Sequence, residues 1–177
     1  MIVTTIYLLL GVLLVVLQTS MLQLLPASFA RPDMIYLLVA FSAYKLPWIP
    51  GLFLAFSLGW MLDVLVAANL GFYPFIFLSV FVVLKVITVN SPVKEGAYQI
   101  PMVGVSYFLL QIGLYFFATV TAEHAIPEWS WGQVVQDTLL LILAAIPFFL
   151  VFNSLYEYLQ MRNTRSRRVK SRAKSSF

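Results

Sequence analysis

The sequence contains no cysteine and only one histidine among its 177 residues. The absence of cysteine excludes disulfides, thiolate metal sites and a cysteine nucleophile within this chain. Charged residues are also scarce, at 10%, compared with about 25% in a typical soluble domain. Hydrophobic residues, by contrast, make up 62% of the chain. This balance is typical of an integral membrane protein.

Long apolar runs supply the candidate membrane spans. A spanning helix needs about 20 mostly apolar residues, and five runs approach or exceed this length, at roughly 2–25, 51–68, 72–89, 98–120 and 134–156. The first run lacks the basic start and small-residue cleavage site of a signal peptide, so we expect it to be retained as a span. The pattern predicts an all-α integral membrane protein, with one polytopic domain over residues 1–160.

A sixth apolar run, Met34 to Leu46, is shorter than the others. The 11 uncharged residues before Lys45 would cover about half of a ~30 Å hydrocarbon core. We expect a short span or a re-entrant segment, ended by Pro47 and Pro50 because proline removes a backbone donor. An irregular chain exposed to lipid is not tolerated at membrane depth. We therefore favour a bundle of six transmembrane helices over five, with the second short or irregular.

The distribution of basic residues predicts the orientation. With six spans and both termini cytoplasmic, Lys45, Lys85, Lys94 and a basic C-terminal tail lie inside, and Arg31 lies outside. A five-span arrangement would move the N-terminal side outward and place Arg31 inside. Lys85 lies four residues before Val89, so we expect it to extend to the interface as an anchor.

Residues 161–177 form a basic tail that we expect to be disordered in water. Attraction to anionic lipids is one role for it, and a docking strip for a cytoplasmic partner is another. It lacks the aromatic residues or folded module of a nucleic-acid binder, so we expect no nucleic-acid partner. Its basic residues are Arg162, Arg165, Arg167, Arg168, Lys170, Arg172 and Lys174.

Asp63 interrupts the third apolar run. It follows Gly51 by 12 residues, or about 18 Å of helix, so we expect it well inside the hydrocarbon and facing the bundle interior. Ala55, Gly59 and Ala67 share its helix face at intervals of four residues. Such a stripe of small side chains predicts that another helix approaches closely.

Two glutamines, Gln18 and Gln111, fall in the same outer half of the membrane as Asp63. Because hydrocarbon penalises unpaired polar groups, the three residues predict one hydrogen-bonded polar layer. The layer would either hold the bundle together, which we favour, or serve a ligand or proton-relay role.

Recognisable catalytic motifs are missing. The sequence has no phosphate loop, serine nucleophile elbow or zinc-binding histidine pair. His124 with Glu123 and Glu128 forms only a partial metal set on a polar loop. We therefore expect no metal, no cofactor and no enzymatic activity.

An ordered pattern runs through the first part of the chain. A glutamine near the end of the first helix precedes a Pro-Asp pair that opens the second and a glycine that opens the third. The stretch Gly59-Trp-Met-Leu-Asp63 and then Leu70-Gly71 follow. This order and spacing resemble the bacterial rod shape-determining protein MreD family. The positions concerned are Gln18, Pro32, Asp33, Gly51, Gly59, Asp63 and Gly71.

The resemblance implies a non-enzymatic subunit of the cell-elongation machinery in the bacterial inner membrane, involved in rod shape and peptidoglycan synthesis. It implies binding to the shape protein MreC, and indirect association with cell-wall synthases and MreB filaments. The family fold is similar to the substrate-binding subunits of energy-coupling-factor vitamin transporters. A vitamin-binding subunit with Asp63, Gln18 and Gln111 lining a pocket is therefore the rival expectation.

Overall fold

A computed structural model describes residues 2–21, 33–66, 71–90, 96–121 and 130–174. All regular structure in these ranges is helical, and five of the helices are long and apolar enough to cross a membrane. The prediction of an all-helical chain with five long apolar helices is confirmed, and these helices indicate a multi-pass membrane protein. The helices are α1 (Ile2–Met21), α2 (Met34–Lys45), α3 (Trp48–Val66), α4 (Phe72–Asn90), α5 (Gly96–Thr121) and α6 (Trp131–Lys174).

The short helix α2 forms the centre of the bundle. Every residue from Ile35 to Ala43 is buried, and α1, α3, α4 and α6 all pack against α2. Its 12 residues extend over only about 18 Å, which is less than the thickness of a hydrocarbon core. The helix is nevertheless shielded from lipid, because the longer helices surround it.

Contacts between the helix ends show that successive helices alternate in direction. Gln18, near the end of α1, contacts Asp33 at the start of α2. Tyr7, near the start of α1, donates a hydrogen bond of 2.6 Å to the carbonyl of Phe152 in α6. The chain therefore enters α1 at the end of the bundle where α6 leaves it.

The two ends of the bundle differ in charge. Asp33 lies at the start of α2 and Asp63 near the end of α3, the next helix, which runs in the opposite direction. We call the end of the bundle that holds these two residues the acidic end. Lys45 and Lys85 lie at the opposite end of α2, which we call the basic end.

Pro47 and Pro50, near the junction of α2 and α3, have different structural roles. Leu46 is extended, with φ −86° and ψ 149°, and Pro47 separates the two helices. Pro50, which we expected to end the apolar segment, lies instead in the first turn of α3, where a missing N–H breaks no helical bond. Helix α3 therefore begins before Gly51. It ends at Val66, so Asp63 lies in its last turn.

Helix α6 continues to Lys174. The backbone is thus helical over most of the basic tail, where we expected disorder in water. The segment from residue 162 to 174 contains no proline or glycine, and arginine and lysine are good helix formers. The docking strip that we considered for this tail requires such a continuous helix, because only then would its basic residues share one face.

The small-residue face of α3 packs against α4. Ala55 is fully buried, and a Cβ added to Gly59 would lie 2.5 Å from the Cα of Pro74. Ala67 lies outside the described residues. The close approach that Ala55 and Gly59 predict is therefore made within the chain, between two consecutive helices.

The outward faces of the long helices are apolar. Ile49, Phe75, Leu143 and Leu150 are each more than 60% exposed. An aqueous surface with so many large apolar side chains would be unfavourable, whereas acyl chains suit it.

Substitution of Gly59 tests the packing of α3 on α4. We expect Gly59→Ala to destabilise the bundle by about 1–3 kcal/mol, because the new methyl group meets backbone atoms that cannot rotate away. Thermal unfolding in detergent, followed by the loss of the monodisperse chromatographic peak, measures the effect. Gly113→Ala is the matched control, because nothing lies within 4 Å of a Cβ at that position. Equal midpoints for the two variants would contradict this packing.

Candidate functional site

Asp33 caps the N-terminus of α2. Its Oδ1 accepts hydrogen bonds from the backbone N–H of Tyr36 at 3.0 Å and from Nε2 of Gln18 at 3.4 Å. The first N–H groups of a helix have no partner within it, and a carboxylate there also complements the positive end of the helix dipole. Asp33 thereby joins α1 to the start of α2.

Asp63 makes the corresponding connection between α3 and α4. Its carboxylate accepts hydrogen bonds from the N–H of Gly71 and from the N–H of Tyr73, the latter at 3.1 Å. Gly71 has a φ of +92°, in the left-handed region that favours glycine. The side chain of Asp63 is only 4% exposed. Asp63 therefore caps α4 from a buried position, and its oxygens are occupied by backbone groups.

The polar layer expected from Asp63, Gln18 and Gln111 is divided among separate contacts. Asp63 binds the start of α4 and Gln18 binds Asp33. Gln111 lies near Tyr107, one turn earlier in α5. Among the described residues, no hydrogen bond joins any two of the three.

The same three residues nevertheless share the acidic end. Tyr73 donates its N–H to Asp63, and the ring of Tyr107 packs edge-on against that of Tyr36, with 4.9 Å between the ring centroids. Tyr36 extends this group to α5, since its hydroxyl lies 2.6 Å from Oγ of Ser106. The tyrosines, which sequence analysis did not single out, thus connect the polar residues of different helices.

Lys85 is a buried capping residue, and the prediction that it extends to the interface is wrong. Its Nζ donates hydrogen bonds to the carbonyls of Ala43, at 3.0 Å, and Leu46, at 2.7 Å. The side chain is only 9% exposed. It turns inward because α2 ends inside the bundle with free carbonyls, which an ammonium group can satisfy while complementing the negative end of the dipole.

Further donors complete the C-terminus of α2. The N–H of Leu46 donates to the carbonyl of Ser42 at 2.9 Å, and the hydroxyl of Tyr156 donates to the carbonyl of Lys45 at 3.2 Å. Both ends of the buried helix therefore receive polar side chains from surrounding helices. No pattern in α2 itself indicates that Lys85 and Tyr156 are donors, because these two residues lie on distant parts of the chain.

The remaining positions of the family pattern are mainly packing positions. A Cβ added to Gly51 would collide with the ring of Phe81, and Gly59 lies against Pro74. Pro32 lies outside the described residues. In the part of the chain that the structure covers, the residues that carry the resemblance pack and cap the helices α1 to α4.

No group of three or more metal-ligating side chains occurs within the described ranges. The partial set of Glu123, His124 and Glu128 lies outside them. Asp33 and Asp63 are both engaged as helix caps, an arrangement suited to fixing the helices relative to one another.

Removal of the Lys85 ammonium tests the cap of α2. We expect Lys85→Met to lower the free energy of unfolding by about 2–4 kcal/mol, since two buried carbonyls lose their donor. Titration with a denaturing detergent, followed by tryptophan fluorescence, measures the change. Thr88→Val is the matched control, because the Thr88 hydroxyl donates to the carbonyl of Leu84 within the same helix. A loss no larger than that of the control would contradict the capping role.

Removal of the Asp63 carboxylate tests the cap of α4. We expect Asp63→Ala to cost about 0.5–2 kcal/mol and to accelerate hydrogen exchange at the amides of Gly71 and Tyr73. Asp63→Asn retains one carbonyl oxygen and should give intermediate protection. Exchange measured by mass spectrometry on the peptide covering these amides provides the readout. Unchanged protection in Asp63→Ala would show that other groups satisfy them.

No family model, curated protein or solved structure matches this chain. The resemblance to the MreD family therefore depends on the ordered residues between Gln18 and Gly71. Membership of that family is accordingly a proposal.

Proposed function

We propose that this chain is a non-enzymatic scaffold subunit of the bacterial cell-elongation machinery, of the MreD type, and that it binds an MreC-type shape protein. The observation that carries the proposal is that the residues of the family pattern share one structural role, which is to join helices. Gln18, Asp33, Gly59, Asp63 and Gly71 all lie at junctions between the first four helices. They support a rigid membrane platform for another protein.

The occupation of Asp63 favours a scaffold over a vitamin-binding subunit. A transporter subunit would need Asp63, Gln18 and Gln111 to present polar atoms to a ligand. Both backbone groups that bind the Asp63 carboxylate belong to the start of α4. A cavity at the basic end is lined by other residues, so it does not provide the pocket that the rival function requires.

The proposal includes an orientation in the bacterial inner membrane with both termini cytoplasmic. The start of α1 and the basic extension of α6 leave the bundle at the same end. Lys45 and Lys85 lie at that end as well, in agreement with the preference of cytoplasmic segments for positive charge. The basic tail would then meet anionic lipids of the inner leaflet.

Helix α5 offers an accessible face for the membrane helix of an MreC-type partner. The small-residue face of α3 is occupied by α4, which makes it an unsuitable docking surface. Gly113 of α5, by contrast, has open space where a Cβ would be. Leu109 and Phe116, on either side of it, are 62% and 70% exposed. A glycine between exposed apolar residues lets a second helix approach closely. Cell-wall synthases and MreB filaments would associate indirectly, through that partner.

Deletion in the host bacterium tests the function. We expect loss of the rod shape, visible by microscopy, and rescue by the wild-type gene at matched membrane abundance. We also expect the MreC-type protein to co-purify after mild detergent extraction. Gly113→Leu should reduce co-purification by at least about tenfold, as expected if a close helix contact worth about 1.4 kcal/mol is lost.

Gly132→Leu is the control for the docking face, since Gly132 is equally open but lies at the start of α6. An undiminished complex with Gly113→Leu would place the partner elsewhere on the bundle. Unchanged rods combined with lost uptake of one vitamin would refute the scaffold and favour the transporter subunit.

A further inference from the structure

A cavity of about 370 Å³ lies at the basic end of the bundle, where α5 and α6 meet the end of α2. This volume falls within the roughly 300–1,000 Å³ of small-ligand sites. Three polar side chains, Lys45, Gln99 and Asn153, share its lining with apolar side chains that include Ile146 and Leu150. One cavity therefore offers both polar and hydrocarbon-like surfaces.

Gln99 is a buried polar residue in this lining. Its side chain is only 9% exposed and lines the cavity together with Lys45 and Asn153. An amide carries both donors and an acceptor. The cavity therefore presents an amide that can hydrogen-bond to a polar ligand atom.

Lys45 supplies a positive charge in the same lining. Its Nζ lies 6.0 Å from the centre of the Tyr156 ring, and within the described part of the chain it has no carboxylate partner. Lys85, by contrast, is engaged by two carbonyls of α2. Asn153, the third polar residue of the lining, donates a hydrogen bond to Oε1 of the exposed Glu157 at 2.8 Å. The charge of Lys45 is therefore available to an anion.

The apolar part of the cavity is continuous with the outer surface of α6. Ile146 is 45% exposed and Leu150 is 66% exposed, and both line the cavity. In a bilayer these side chains face acyl chains, so the opening of the cavity is reached directly by lipid. A water-soluble anion would leave this apolar part unfilled.

We propose that the cavity binds one anionic phospholipid, with its phosphate at Lys45 and Gln99 and one acyl chain along Ile146 and Leu150. Basic pockets between membrane helices are known to hold anionic headgroups, and an ammonium–phosphate contact is charge-assisted. The site is separate from the basic tail, and it does not depend on the proposed function.

Native mass spectrometry of the full chain in detergent tests the site. The probes are dioleoyl phosphatidylglycerol and dioleoyl phosphatidylcholine, which share their acyl chains and differ in charge. We expect one phosphatidylglycerol to be retained in preference to phosphatidylcholine. Lys45→Gln should weaken phosphatidylglycerol binding by at least about tenfold, the effect of one charge-assisted hydrogen bond, and should abolish the preference.

Ile146→Trp fills the cavity without changing charge, and we expect it to reduce retention similarly. Leu143→Trp is the matched control, because Leu143 is 70% exposed and does not line the cavity. Lipid retention is compared only among variants whose thermal unfolding midpoint matches that of the wild type.

Replacement of Arg165, Arg168 and Arg172 by glutamine should leave the preference for phosphatidylglycerol intact. Loss of the preference in this tail variant, or its persistence in Lys45→Gln and Ile146→Trp, would overturn the proposal. Displacement of the lipid by millimolar glycerol 3-phosphate would equally overturn it, since the site would then bind a soluble phosphate.

Discussion

The backbone polar groups at the two ends of α2 must be satisfied inside the bundle, and much of the structure depends on this constraint. A helix surrounded by other helices cannot obtain water for its first N–H groups or its last carbonyls. Asp33 supplies the acceptor at the start, and Lys85 supplies the donor at the end. The bond from Gln18 to Asp33 fixes α1 at one end, and the bond from Tyr156 to Lys45 fixes α6 at the other.

The negative and positive charges of the bundle lie at opposite ends, and they differ in whether they cap helices. At the acidic end, Asp33 and Asp63 are occupied by backbone N–H groups and serve the architecture. At the basic end, Lys85 serves the architecture, whereas Lys45 has no carboxylate partner within the described ranges. Internal order is thus concentrated around α2. Surfaces suited to lipid or to another protein lie on α5 and α6, whose spans are less buried than those of α3 and α4.

Features that depend on apolar length and residue spacing could be predicted from the sequence. The orientation of each helix about its own axis, which decides which side chains meet, could not. Apolar length alone predicts the five long helices, and the spacing of Ala55 and Gly59 predicts a close helix approach. Counting residues placed Gln18 and Asp63 at similar depths, but rotation directs Gln18 to Asp33 instead. Lys85 was misassigned because its partners, the carbonyls of α2, become available only once that helix ends inside the bundle.

The enclosure of α2 also has a consequence for biosynthesis. A 12-residue helix is too short to partition stably into lipid as an independent segment, because about 20 residues are needed for that. Its capping donor Lys85 lies some 40 residues further along the chain, in a helix that leaves the ribosome later. The cap at the C-terminal end of α2 can therefore form only after α4 has been synthesised, so the enclosure of this helix is completed later than its own synthesis.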